Sequence, residues 1–244
     1  MLKVVLISHT PDPEKVVAAA AKMCYSKSGP EDIMNNLTPE NTENFLNRLI
    51  SMGHESPIEH ITFTFGIEGV SRSLLAQLTR HRIASYSVKS QRYVEENHFS
   101  YIIPPEIEKN AKAAEIYKKT MDNILDSYNE LTEILYEKHK NNMDDKAARK
   151  KAIEDARFVL PNACETKLVM TFNARSLLNF FSERCCDRAQ WEIREMADQM
   201  LKIVKGIAPI IFKNAGPKCI RGACPEGVMS CGKRKEMIEK YKGM

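Results

Sequence analysis

No run of this 244-residue chain approaches the roughly 18 consecutive apolar residues that a membrane-spanning helix needs, so no such helix is expected. Charge of one sign is also missing. The 36 Lys and Arg stand against 32 Asp and Glu, a net +4 that is too mild to announce a nucleic-acid partner. The start, Met1 to Ile7, lacks the length and cleavage site of a signal peptide and reads as a first strand. With no secretory signal, seven cysteines, an odd number, predict reduced thiols and a cytoplasmic protein. Two nucleotide motifs are absent as well. There is no glycine-rich phosphate loop ending in Lys-Ser/Thr. After the first strand His9-Thr10-Pro11 stands where a dinucleotide glycine fingerprint would be. If a nucleotide binds, arginines and hydroxyls must hold it.

What is present is a cluster. Arg80-His81-Arg82 is followed, after seven residues, by Ser90-Gln91-Arg92, and the stretch also carries Tyr86 and Tyr93. Arginine donates to phosphate oxygens through a planar fork, and serine adds neutral donors without crowding. The cluster follows Val70, Leu74, Leu75 and Leu78, which repeat at helical spacing over Val70–Thr79. Gln77, Arg80 and His81 would then share one helix face. An anion site at a helix end is one reading; a solvated polar face is the other.

The remaining pattern predicts an α+β chain. Ile61, Phe63, Phe65 and Ile67 alternate as a half-buried strand, as do Thr166, Leu168, Met170 and Phe172. Residues 26–37 read as a loop. Thr38 caps a helix that starts at Pro39, turns Phe45, Leu49 and Met52 inward, and stops at Gly53. Neither Gly nor Pro interrupts Glu106–Met143, where Ala114, Tyr117, Met121, Ile124, Tyr128, Leu131 and Leu135 form a narrow apolar seam on one long helix. A helix over Asp145–Arg157 follows, and two more over Ala174–Cys185 and Ala189–Phe212. Without a linker or repeat, the simplest organisation is one domain over residues 1–215 with a cysteine-containing tail over 216–244.

Other polar groups admit two readings each. His54-Glu55-Ser56-Pro57-Ile58-Glu59-His60 lacks the helical i, i+4 histidine pair of zinc proteases, so a ligand-binding or capping loop is expected and no metal. Arg175 and Asn179 share a helix face, with Asn173 just ahead and Arg184 a little over two turns beyond Arg175. The stripe suits a polar heterocycle plus an anion, or surface pairing with Glu183 or Asp187. Arg157 ends a helix, where a cation is favoured in any case. Cys219, Cys224 and Cys231 are spaced by five and seven, unlike paired Cys-x-x-Cys knuckles. Three thiolates and a fourth ligand could hold zinc, but the expectation is a loosely ordered or redox-sensitive tail.

Arg80-His81-Arg82, seven residues, then Ser90-Gln91-Arg92 resembles the signature of the flavin-dependent thymidylate synthases. The His54–His60 block, Ala156-Arg157 with Leu160-Pro161, Asn173-Ala-Arg175 with Asn179 and Arg184, and Ala189–Arg194 are similar to further blocks of that family, in the same order. The resemblance covers about residues 1–215.

The resemblance implies an α+β fold, with helices around an antiparallel sheet and one of them long, and a homotetramer with sites at subunit interfaces. The implied enzyme converts dUMP to dTMP. Methylenetetrahydrofolate is the carbon donor, reduced FAD the hydride donor and NADPH the flavin reductant. By matching position, Ser56, Arg80, His81, Arg82, Asn173, Arg175 and Asn179 would contact FAD. Val88 would do so through its backbone, because Ser87-Val88 stands where some members carry Asn-Glu. Gln77, Arg80, Ser90, Gln91, Arg92, Arg157 and Arg184 would hold dUMP. Arg184 would be the catalytic group that favours loss of the uracil N3 proton. No cysteine nucleophile is required, and Cys164, Cys185 and Cys186 read as core.

Overall fold

The computed structural model describes residues 1–244. Strand β1 (Lys3–His9) leads into helices α1 (Pro13–Met23), α2 (Pro30–Asn35) and α3 (Pro39–Ser51). Strand β2 (Thr62–Ser71) runs straight into α4 (Arg72–Leu78), and β3 (Ser85–Val88) follows. Next come α5 (Pro105–Glu108), α6 (Ala111–His139) and α7 (Asp145–Ala156). Strand β4 (Glu165–Asn173) passes directly into α8 (Ala174–Arg184). Helices α9 (Trp191–Ile207), α10 (Pro209–Phe212) and α11 (Arg234–Lys242) complete the chain. The strands form one antiparallel sheet in the order β1-β2-β4-β3, the α+β architecture that the pattern predicts.

Alternation decides which face of the sheet is buried. Ile61, Phe63, Phe65 and Ile67 lie inside, as do Thr166, Leu168, Met170 and Phe172, while Thr62 and Glu68 are exposed. On the other face Thr64 and Thr171 meet hydroxyl to hydroxyl at 2.9 Å. Gly66 on that face lies tight against β1, and a side chain there would need Val5 and Ile7 to shift by a few tenths of an ångström. A Cβ there would come within 3.0 Å of Val5 Cγ2 and 3.2 Å of Ile7 Cδ1.

The chain falls into two compact units, one made of Leu2–Ile67, Gln77–Tyr86 and Val169–Met244, the other of Met1, Glu68–Ala76 and Ser87–Leu168. In the larger unit α9 buries Ile193, Met196, Ala197, Met200 and Val204, the face that helical spacing indicates. A run of ring contacts links Phe172, Phe180, Phe181, Phe212 and Phe63. In the smaller unit α6 packs along α7, so its seam meets a helix of the same chain. Asn110 and Asp144 cap these two helices, each accepting a backbone N–H at 3.1 Å.

Several expectations shift. Residues 26–37 are not all loop, since Gly29-Pro30 starts α2, with proline at the first helical position where its missing N–H costs nothing. Thr38 caps α3 as expected and Gly53 takes the left-handed φ of +73° that ends it. Met52, however, is 54% exposed, and Leu46 takes the inward place. The seam of α6 veers too. Leu131 is exposed and Thr132 is buried, its hydroxyl donating to the Tyr128 carbonyl at 2.7 Å. Val70 belongs to β2 and not to a helix, and Arg80 and His81 lie beyond the end of α4. Ala189–Phe212 is interrupted, because Pro209 cannot continue α9 and starts α10 instead.

The C-terminal segment is built, not loose. Tyr241 of α11 is fully buried, and its hydroxyl lies 2.8 Å from the Cys185 carbonyl and 2.6 Å from Asp198 Oδ1. No helix of the chain is long and apolar enough to cross a membrane.

Candidate functional site

Two strand-to-helix junctions prepare the site. At the end of β4, Asn173 caps α8, its Oδ1 accepting the Ser176 N–H at 2.8 Å. This leaves the side-chain amide nitrogen as the free end of that residue. At the end of β2, Ser71 accepts the Leu74 N–H at 3.0 Å and starts α4. Beyond α4 the chain keeps winding for one more turn, with Arg80 N–H on the Gln77 carbonyl and His81 N–H on the Leu78 carbonyl. Tyr86 clamps this turn, its hydroxyl lying 3.1 Å from the Leu78 carbonyl and 2.8 Å from that of His81. Burial pushes the Tyr86 pKa up to about 12, so it stays a donor.

The turn borders a cavity of about 760 Å³ in the larger unit, within the range of small-molecule sites. Arg80, His81, Arg82, Asn173, Arg175 and Asn179 all line it. So do Glu55, Glu59, Ile83, Phe172, Leu178 and Arg221. Six of the expected flavin-contacting residues therefore share one cavity; Ser56 opens the neighbouring 3-10 turn Ser56–His60 without lining it. Arg221 was missed, because nothing in Cys219-Ile220-Arg221-Gly222 marks it; it arrives only through the folding of the tail. The surface pairing weighed for Arg175 falls on other partners. Arg175 bridges Glu55, with Nε 3.4 Å from Oε2, and Glu59, while Glu183 pairs with Lys218 and Asp187 with Arg194 and Lys233.

Arg184, at the last turn of α8, does not line this cavity but is tied to its His81. Its Nε donates to His81 Nε2 at 2.9 Å and its Nη2 to the Gln77 carbonyl at 3.4 Å. A guanidinium can only donate, so His81 Nε2 must be unprotonated and the ring proton sits on Nδ1. Burial first, and then the Arg184 charge, lower the His81 pKa, against a smaller opposing pull from Glu183. The ring meets Phe180 edge-on at 4.9 Å, which fixes its plane. Arg184 itself has its pKa lowered, chiefly by burial and then by Arg80, while Glu183 opposes the shift. It remains a cation, and donors beyond the two used here are left over.

The other expected residues lie in the smaller unit. Ser90 Oγ accepts the Arg92 N–H at 3.2 Å. Gln91 is buried, its amide donating to Cys164 Sγ at 3.4 Å. Arg92 pairs with Glu154 at 3.0 Å, and Arg157 Nε donates to the Glu154 carbonyl at 3.0 Å. Folding thus gathers Arg92 and Arg157 around one residue. Exposed Tyr93 stands beside them, with Lys150 Nζ 4.3 Å and the Arg92 guanidinium 5.9 Å from its ring centroid. Val88 ends β3, half-buried.

No group of three His, Cys, Asp or Glu side chains is drawn together as for a single metal ion, including around His54 and His60.

The family described as "Thymidylate synthase complementing protein" matches residues 5–210. A flavin-dependent thymidylate synthase of Clostridium tetani is 56% identical over 241 residues, spanning 98% of this chain and 97% of the relative. The enzyme of the same name from Geobacter sulfurreducens is 46% identical, over 100% and 99% of the two chains. That of Pyrococcus horikoshii is 40% identical, over 99% and 100%.

Proposed function

The chain belongs to the flavin-dependent thymidylate synthase family, and from that membership we propose that it makes dTMP from dUMP. In this reading methylenetetrahydrofolate supplies the carbon, FAD is the flavin, and NADPH reduces it. The working form is a homotetramer with sites completed at subunit interfaces. The observation that carries the reading is the cavity, which joins the Arg80–Arg82 turn to Asn173 and the Arg175–Ser182 stretch of α8. Its donor set suits FAD. Arg80, Arg82, Arg175 and Arg221 offset a pyrophosphate, Asn173 and Asn179 serve neutral edges, and Ile83, Phe172 and Leu178 supply apolar wall. Flavin, when bound, supplies hydride chemistry that no side chain offers.

The protein's own work is binding, orientation and charge placement. Arg175 must loosen from Glu55 or Glu59 to meet an anion, so those carboxylates keep the fork oriented until ligand arrives. Neutral His81 holds Arg184 without adding a second positive charge, and the Gln77 carbonyl fixes its other edge. Arg184 then presents a rigid cation to the pyrimidine, where it stabilises negative charge left by loss of the N3 proton. Ser90, Arg92 and Arg157 hold the dUMP phosphate, with Arg92 exchanging Glu154 for a phosphate oxygen. Gln91 contributes through its backbone while its amide stays on Cys164, as Val88 does towards the flavin.

Purified protein supplied with FAD should turn yellow and oxidise NADPH in a dUMP-dependent way, with dTMP appearing when methylenetetrahydrofolate is added. Protein that stays colourless with FAD would refute the reading. A flavoprotein that forms no dTMP would point to another nucleotide substrate.

A further inference from the structure

Four of the seven cysteines line a second cavity in the larger unit. Cys186 follows the end of α8, and Cys219, Cys224 and Cys231 come from the C-terminal segment. All four are free thiols, and the cavity between their walls measures about 250 Å³. The loop that carries them is pinned. Arg234 Nε donates to the carbonyls of Cys219 at 3.0 Å and Gly222 at 2.8 Å. Lys218 pairs with Glu183 and Lys233 with Asp187 at 2.9 Å. Cys219 is buried, while Cys186, Cys224 and Cys231 are only partly covered.

Four thiolates suit a soft metal centre. A single zinc ion would draw four sulfurs to about 2.3 Å from one point, and no such tight set exists here. Four cysteines that line one cavity without converging on a single point leave room for a centre of several metal atoms. Arg184, Arg188, Lys218 and Arg234 line the same cavity, beside Glu183, Asp187 and Glu226. Lys218 pairs with Glu183 and Arg188 lies 3.8 Å from Glu226, which leaves Arg184 and Arg234 to meet the centre's negative charge.

We propose that Cys186, Cys219, Cys224 and Cys231 ligate an iron–sulfur cluster that fastens the C-terminal segment to the end of α8. Loading is ligand exchange from a thiolate-bearing cluster carrier. Four Fe–S bonds to the carrier's thiolates break, four form to this chain, and the four protons released pass to the carrier's sulfurs. No electron changes hands, and the centre is structural, beside Arg184 and not in the reaction.

The test is anaerobic purification, or anaerobic transfer of a cluster from a loaded carrier, followed by iron, zinc and acid-labile sulfide analysis. Iron and sulfide in about equal amounts are expected, with a paramagnetic signal on dithionite reduction. Cys186→Ser and Cys224→Ser should each lose at least half of the iron, whereas Cys24→Ser should keep all of it. Thermal melts of the unloaded proteins check folding, so that loss of iron from a folded variant counts as loss of a ligand. One zinc per chain without iron would overturn the cluster. So would metal-free protein after transfer, or iron retained in both ligand variants.

Discussion

The two groups of basic residues in this chain sit in contrasting surroundings. Around Arg80, Arg82 and Arg175 the polar groups border open space, and the partners of Arg175 are half-exposed carboxylates that a stronger anion can replace. Around Arg92 and Arg157 the groups are mostly committed to the protein itself. Gln91 is spent on Cys164, Arg157 on a backbone carbonyl and Arg92 on Glu154. The first arrangement resembles a binding site in waiting. The second needs an exchange of partners before it can hold phosphate. Near-identical residue types thus differ in readiness because of what folding places next to them.

Replacing Arg184 should separate the roles most sharply. Arg184→Ala is expected to lower kcat by about 10² to 10³, as for other single donors at a developing anion, while FAD titration stays within a few fold. Loss of FAD binding instead would put Arg184 with the flavin. Next, Arg175→Ala should weaken FAD about tenfold, read by flavin fluorescence, with the dUMP KM little changed. Arg92→Ala and Arg157→Ala should do the converse, raising the dUMP KM several fold and sparing FAD. If Arg92→Ala strips the flavin, the contrast between the two groups fails.

A smaller effect concerns pH. His81 has a lowered pKa in the fold, so the unfolded chain binds its proton more readily. Its contribution is therefore complete above the ordinary histidine value of 6.5 and is lost as pH falls through the lower folded value. Protonation also removes the lone pair that Arg184 uses. Melting temperature and kcat should both fall on the acid side in the native protein, and His81→Gln should flatten this dependence. An unchanged pH profile in the variant would show that His81 does not hold Arg184. The smallest change expected is at Gln91. Gln91→Met keeps the volume and loses one weak sulfur contact, so it should shift the dUMP KM by less than about threefold.

Much of the fold was legible in advance, for identifiable reasons. The strands β2 and β4 announced themselves because one buried face imposes strict alternation. Helix α9 did so because its apolar residues keep a 3.6-residue period. Misplacements occurred where tertiary context overrode a local signal. Val70 fits a helical pattern and a strand equally well, and only the sheet chooses. Leu131 obeys the seam, yet the buried position belongs to Thr132, whose hydroxyl finds a carbonyl. The candidate site was legible as residue types in blocks, including Arg184 and the Asn173–Asn179 stripe. The partners of Arg175, the burial of Gln91 and the arrival of Arg221 were not, since each depends on residues distant in sequence.

By itself the sequence determined the family, the alternating core faces, the helix cap at Thr38, and the identity of the basic residues. Those features are local, or recur in order along the chain. The tertiary structure alone decided that His81 is a neutral acceptor for Arg184, because the arginine reaches it across 103 positions of sequence. It also decided that Cys186 joins the three tail cysteines around one cavity. Spacing within the tail shows three thiols; the fourth comes from the end of another helix, and long-range packing brings it there.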